Sequence, residues 1–157
     1  MDTTTDDEMT ALVRRFPDIT TIEPATNDHR PRVLVFEDDA NLCDLYGELF
    51  AETGYCASIT NRVFESCEPV VALAPALILL DLYFRGEPVG LGFLTRLKTD
   101  PRTAAIPVVV VTGSHQTIDE FGPALRQWDC AVLLKPFDLN HFLALLRRHG
   151  QRVPARM

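Results

Sequence analysis

The sequence predicts an α/β fold in which five parallel strands alternate with five helices. Short apolar runs of strand length recur along the chain, separated by segments with helical periodicity. Such runs are typical of strands buried on both faces of a parallel sheet. Because a helix follows each strand, the crossover connections make the sheet parallel and doubly wound. With five strands, the flavodoxin-like order 2-1-3-4-5 is expected.

The expected elements occupy residues 32–149. Gly54 and Gly150 mark the ends of the first and last helices. Pro69 falls inside the second helix, which we therefore expect to be short or broken. The strands are expected at 32–36, 55–59, 76–80, 107–111 and 130–134, and the helices at about 40–53, 61–73, 89–99, 116–127 and 138–149.

The segment before the first strand, residues 1–31, differs from the rest of the chain. Its first part has an apolar stripe with the spacing of a short helix over residues 6–16, and Thr20 to Pro31 is typical of a linker. Two interpretations remain open for the segment: a partly disordered leader, or a helix that docks or dimerises. Residues 32–149 form one domain, and residues 150–157 form a C-terminal tail.

Composition excludes several classes of protein. With 22 acidic and 15 basic residues the formal charge is −7, which argues against a nucleic-acid binder. No apolar stretch approaches the length of a membrane span, and the N-terminus is acidic where a signal peptide would be basic. A cytoplasmic location is therefore expected. The four cysteines lack metal-site spacing and are expected to be buried reduced thiols.

Polar residues with complementary chemistry follow four of the predicted strands. The carboxyl ends of parallel strands lie at one edge of a sheet, so these side chains are expected to meet there. Together they suit a divalent cation and a phosphoryl group. They are Glu37, Asp38 and Asp39 after the first strand, Asp81 after the third, Thr112 at the end of the fourth and Lys135 after the fifth.

Each residue type has a role in one reaction. Crowded carboxylates repel one another unless a cation lies among them, and Mg²⁺ prefers such oxygen ligands. Asp81 stands alone at the tip of a central strand, which suits a nucleophile that forms an acyl phosphate. Lys135 and Thr112 would then offset the charge on the transferred group. Asp39 is expected to be a helix N-terminal acid.

Four segments, VLVFEDDANL, PALILLDLYF, DPRTAAIPVVVVTGSH and AVLLKPFD, resemble the receiver domain of bacterial response regulators in order and spacing. The resemblance implies that Asp81 accepts a phosphoryl group from a histidine kinase or histidine phosphotransfer protein. It implies no enzymatic activity beyond the domain's own phosphotransfer and autodephosphorylation. Output would pass to a downstream effector through protein contacts, with residues 116–149 as the expected partner face. A homodimer remains open.

The resemblance also assigns the metal ligands. Asp38 would bind Mg²⁺ directly and Glu37 largely through water. Asp81 and the backbone carbonyl of Tyr83 would complete the protein ligands. Thr112 and Lys135 match the family's hydroxyl and lysine.

The resemblance further predicts a cis peptide bond between Lys135 and Pro136. Val132 departs from the pattern, because the family's switch position three residues before the lysine is normally Tyr or Phe.

Three functions account for parts of this pattern. A stand-alone receiver accounts for most of the pattern, since no output domain follows residue 149 in this sequence. A pseudo-receiver that binds partners without phosphorylation stays open because of Val132. An aspartyl phosphatase of the haloacid dehalogenase type needs an acid two residues after the nucleophile, where this sequence has Tyr83. Phosphate-binding glycine motifs of nucleotide sites are absent from the sequence.

Overall fold

A computed structural model of the chain describes residues 19–22, by their backbone, and residues 31–150. The predicted α/β architecture is confirmed in these ranges. The strands are β1 (Ile19–Ile22), β2 (Arg32–Phe36), β3 (Cys56–Thr60), β4 (Leu77–Asp81), β5 (Val108–Thr112) and β6 (Ala131–Leu134). The helices are α1 (Ala40–Thr53), α2 (Glu68–Leu73), α3 (Val89–Thr99), α4 (His115–Gln127) and α5 (Leu139–Gly150).

The sheet has the order β1-β3-β2-β4-β5-β6, and its last five strands are parallel. Those five reproduce the predicted order 2-1-3-4-5. The register aligns their carboxyl ends, because Phe36 pairs with Leu80, Asp81 pairs with Val111, and Thr112 pairs with Leu134. Residues that follow these positions therefore lie along a single edge.

The outermost strand next to β3 is not predicted by the sequence. The sequence predicts a linker over Thr20 to Pro31, but Ile19–Ile22 forms β1 and pairs antiparallel with β3. Its β-branched residues favour an extended backbone, and the pairing covers the otherwise open edge of β3. The helix expected over residues 6–16 and the tail after Gly150 lie outside the described residues.

The second helix is shorter than its predicted range of 61–73. It begins at Glu68, so residues 61–67 are not helical. Pro69 lies in the first turn of α2, where its missing N–H would have no helical acceptor. Proline thus marks the start of this helix rather than a break within it.

Two apolar layers enclose the sheet. Alternate residues of β2 point to opposite faces: Phe36 packs against Phe93 of α3, whereas Val35 belongs to the layer that includes Tyr46 of α1 and Phe142 of α5. The central strands β2 and β4 are buried on both faces, as their continuous apolar sequences predict.

No disulfide joins the four cysteines, of which Cys56 and Cys67 are buried and Cys43 and Cys130 are half-buried. Within the described ranges, none of the helices has the length and apolar character needed to cross a membrane.

A glycine at the start of α3 allows that helix to approach the end of β4. The N–H of Gly90 donates to the carbonyl oxygen of Leu82 at 3.1 Å. A Cβ at Gly90 would overlap the carbonyl oxygen of Asp81 and crowd the backbone of Leu82. Gly92, two residues later, has open space where a Cβ would lie. Of these two glycines, Gly90 is the one that packing requires.

We expect Gly90→Ala to lower the free energy of unfolding by about 1–3 kcal/mol, because the backbone of Asp81 must move to admit the methyl group. The matched control Gly92→Ala should raise it by about 0.5–1 kcal/mol through reduced backbone entropy of the unfolded chain. Urea unfolding of both variants measures the difference. Equal effects of the two substitutions would contradict this account.

Candidate functional site

Three carboxylates converge at the carboxyl edge of the sheet. Glu37 follows β2 and is buried, Asp81 ends β4 and is buried, and Asp38 is half-buried. One oxygen from each of these side chains lies within 4.8 Å of the other two. The aligned ends of β2 and β4 bring the residues together although they are distant in the sequence. A set of carboxylate oxygens at this spacing can hold a hard divalent cation.

The ammonium group of Lys135 bridges two of the acids. Its Nζ donates to Oε2 of Glu37 at 2.8 Å and to Oδ2 of Asp81 at 2.6 Å. The two carboxylate side chains are only 2% and 9% exposed, so both hydrogen bonds are shielded from water. Buried charges of one sign require such a partner. Lys135 therefore neutralises part of the negative charge in the site.

Burial and neighbouring charges shift the pKa values of Glu37 and Lys135. The pKa of Glu37 rises to about 7, chiefly because burial disfavours its ionised form; the hydrogen bond from Lys135 opposes that rise, and the charge of Asp81 adds to it. Burial alone would lower the pKa of Lys135, but hydrogen bonds to Asp81 and Glu37 outweigh it, and the net shift is upward. Lys135 consequently stays an ammonium ion at neutral pH.

Asp38 contacts the loop that follows β4. Its Oδ2 accepts from the backbone N–H of Arg85 at 2.8 Å. Arg85 and Gly86 have positive φ values of 53° and 79°, and the flanking residues Phe84 and Glu87 exchange two backbone hydrogen bonds. This is the pattern of a tight two-residue hairpin turn. The turn presents the Arg85 N–H to Asp38, a contact that the sequence analysis did not predict.

Asp39 has a separate, local role. Its Oδ1 accepts from the backbone N–H groups of Asn41 at 2.9 Å and Leu42 at 3.1 Å, so it caps the N-terminus of α1. The expectation of a helix N-terminal acid is confirmed. The backbone N–H of Asp39 also donates to Oε1 of Glu37 at 3.2 Å, which helps to orient that carboxylate.

Thr112 lies at the same edge but bonds within its own loop. The residue is buried, and its Oγ1 accepts from the N–H of Ser114 at 3.2 Å. The N–H of Lys135 donates to the carbonyl oxygen of Thr112 at 2.9 Å, which fixes the two strand ends side by side. The Lys135–Pro136 peptide bond is cis, as expected.

Tyr83 connects the site with α4. Its backbone N–H donates to Oδ1 of Asp81 at 3.0 Å, and its phenol oxygen accepts from Oγ1 of Thr117 at 3.0 Å. Thr117 was not singled out by the sequence analysis, since a threonine in a helix carries no signal of a partner on another loop. The half-buried Val132 of β6 presents no ring or polar side-chain atom near these groups.

Comparisons with known proteins agree with this fold. No protein-family model matches the chain. The chain is 32% identical over 130 residues to the DNA-binding dual master transcriptional regulator RpaA of Synechocystis, a match that covers 79% of this chain and 52% of RpaA. The solution structure of the apo receiver domain of nitrogen regulatory protein C is 28% identical, with a TM-score of 0.61, and the match covers 78% of this chain and 95% of that one.

A third similar protein shows the same fold at lower identity. It is the receiver domain of the sensor histidine kinase PA1611 from Pseudomonas aeruginosa, described with a magnesium ion coordinated in its active site cleft. It is 16% identical with a TM-score of 0.58, and the match covers 76% of this chain and 97% of that one.

The fold, the acidic site and these relatives define a class of signalling domain. The parallel sheet and flanking helices of this chain form a receiver domain like those of response regulators. It spans about half the length of the curated relatives it matches.

Replacement of Lys135 tests its role in the charge balance of the site. We expect Lys135→Met to lower the free energy of unfolding of the metal-free protein at pH 8 by about 3 kcal/mol, because it leaves two buried carboxylates without their cation. Chemical unfolding in the presence of a chelator measures this loss.

Arg102→Met is the matched control. Arg102 also bonds two carboxylates, with Nη1 at 2.6 Å from Glu68 and Nη2 at 2.9 Å from Asp100, but these side chains lie on the surface. Water screens the exposed ion pairs of Arg102, so Arg102→Met should change the free energy of unfolding far less than Lys135→Met does. A comparable loss in both variants would show that burial does not set the importance of Lys135.

Proposed function

We propose that Asp81 accepts a phosphoryl group from a histidine kinase or a histidine phosphotransfer protein, in a reaction that depends on Mg²⁺. The observation that carries the proposal is the placement of the Asp81 carboxylate. It lies within hydrogen-bonding distance of the Lys135 ammonium group and inside a cluster of three acids. This combination of nucleophile, fixed cation and metal-type ligands suits transfer to an aspartate.

The donor set fits a magnesium ion. Asp38 and Asp81 offer hard carboxylate oxygens, and Glu37 is close enough to act through a bound water molecule. The resemblance to receiver domains adds the backbone carbonyl of Tyr83. A magnesium ion held there would offset negative charge on the transferred group. The magnesium-containing PA1611 receiver supports this assignment by analogy of fold.

In the proposed transfer, a carboxylate oxygen of Asp81 forms a bond to phosphorus as the bond from phosphorus to the donor histidine nitrogen breaks. The nitrogen keeps the electron pair of the broken bond. The ammonium group of Lys135 then donates to a phosphoryl oxygen instead of to Oδ2 of Asp81. The hydroxyl of Thr112 can donate to a second phosphoryl oxygen once it turns from its own loop. Autodephosphorylation would return Asp81 to the free carboxylate.

Output is proposed to pass through protein contacts, because an acyl phosphate at the sheet edge can shift the receiver between two surface states. Residues 116–149 form the proposed partner face, and the same face could join two copies of the chain. RpaA is described as a DNA-binding regulator, and about half of its length is matched here.

One observation favours a second candidate. Val132 has no aromatic ring that could follow Thr112 upon phosphorylation, so the family's usual relay is missing from β6. A pseudo-receiver that binds a partner constitutively would need no such relay. The intact Asp81–Lys135 pair favours the phosphorylated receiver over this alternative.

Intact mass spectrometry after incubation with acetyl phosphate and Mg²⁺ tests the proposal. We expect one phosphoryl adduct on the wild-type protein and none on Asp81→Ala, because that substitution removes the proposed nucleophile. A chelator added before acetyl phosphate should reduce the adduct strongly, since the acidic cluster then lacks its cation. A folded wild-type protein that takes up no adduct, or an adduct retained by Asp81→Ala, would reject the proposed function.

A further inference from the structure

Two hydrogen-bond routes from the strand ends meet at Thr117 in the first turn of α4. In one route, Asp81 Oδ1 accepts from the N–H of Tyr83, and the phenol oxygen of Tyr83 accepts from Oγ1 of Thr117. In the other, Thr112 Oγ1 accepts from the N–H of Ser114, and Oγ of Ser114 accepts from the N–H of Thr117 at 3.2 Å. Thr117 therefore connects both the acceptor aspartate and the strand-end hydroxyl to α4.

We infer that the hydroxyl pair of Tyr83 and Thr117 couples the loop after β4 to α4 and relays the state of Asp81 to that helix. The inference rests on the proposed phosphorylation of Asp81 for its signal, although the coupling itself belongs to the unmodified protein. It assigns the relay to a loop residue, Tyr83, and leaves Val132 of β6 without a part in it.

Burial makes this contact specific. Thr117 is 3% exposed, and Tyr83 is half-buried against the core layer that also contacts Val132 and Trp128. A buried hydroxyl that loses its partner is costly, so the two groups move together rather than separately. A shift of the Tyr83 backbone would consequently displace the first turn of α4 through the hydrogen bond between Thr117 and Tyr83.

Phosphorylation changes the end of the route that lies at Asp81. The free carboxylate accepts from Tyr83 through one oxygen and from Lys135 through the other. A bond from either oxygen to phosphorus makes a mixed anhydride and alters that arrangement, and the N–H of Tyr83 must adjust to it. The Thr112 route changes in the same step if its hydroxyl turns toward the phosphoryl group. Both adjustments act on Thr117, one through its side chain and one through its backbone.

The chain contains its own reporter at the far end of α4. Trp128, the single tryptophan of the sequence, follows the last residue of the helix. Its backbone N–H donates to the carbonyl oxygen of Ala124. Its half-buried ring packs against the core layer. A displacement of α4 should therefore change the fluorescence of Trp128.

The test compares Thr117→Val, which keeps the side-chain shape but removes the hydroxyl, with Thr117→Ser, which retains the hydroxyl. Beryllofluoride with Mg²⁺ serves as the phosphoryl analogue, and the change in Trp128 fluorescence at saturation is recorded. Adduct formation with acetyl phosphate is measured in parallel by intact mass. We expect the Val variant to form the adduct as the wild type does but to show less than half of the fluorescence change. The Ser variant should retain most of it.

Tyr55→Phe controls for loss of a tyrosine hydroxyl elsewhere. Its hydroxyl donates to the carbonyl oxygen of Leu146 in α5 at 3.3 Å, away from α4. It should leave the fluorescence change intact, whereas Tyr83→Phe should reduce it as Thr117→Val does. A full fluorescence change in a phosphorylated Thr117→Val protein would overturn the relay while leaving the proposed function in place.

Hydrogen exchange tests the coupling between the loop after β4 and α4 in the unphosphorylated protein. In the unmodified protein, Thr117→Val should speed amide exchange about fivefold both in the first turn of α4 and in residues 82–87, which matches the loss of one hydrogen bond. Thr117→Ser should not. If the wild-type protein forms no phosphoryl adduct, the proposed function is rejected. Hydrogen exchange still tests the coupling, because it is measured on the unmodified protein. Unchanged exchange in residues 82–87 would overturn it.

Discussion

The ammonium group of Lys135, held between two buried carboxylates, is the interaction on which the site depends. Glu37 and Asp81 could not share a dry edge of the sheet as anions without a cation, because repulsion and desolvation would both oppose it. Lys135 follows β6 and reaches past the end of β5 to the ends of β4 and β2. The long lysine stem is what lets one cation serve strands that are not its neighbours.

Strand order and register make that reach possible. Five parallel strands end in line, so residues from distant parts of the sequence meet at one edge. The three carboxylates that follow β2 then have different hydrogen-bond partners. Asp39 caps α1, Asp38 accepts from the turn after β4, and Glu37 bonds Lys135. Gly90 keeps α3 close to the backbone of Asp81, so packing sets the position of Asp81.

The sequence predicts the parallel strands and the acidic edge because both depend on local patterns: buried apolar runs, and polar residues directly after them. It does not predict β1, whose four residues give no alternation long enough to recognise beside a Pro-rich segment. The start of α2 is misplaced because Pro69 is compatible with a first turn as well as with a break. The contact between Tyr83 and Thr117 could not be predicted, because it depends on how α4 packs beside the loop after β4.

A crystal structure of the protein with Mg²⁺ and beryllofluoride tests the central claim most directly. The account predicts beryllium on a carboxylate oxygen of Asp81, with Nζ of Lys135 moved from Oδ2 of Asp81 to a fluoride within hydrogen-bonding distance. Magnesium should lie between Asp38 and Asp81. A structure with magnesium bound but Asp81 unmodified and still paired with Lys135, at saturating beryllofluoride, would contradict the role of this lysine as the partner of the transferred group.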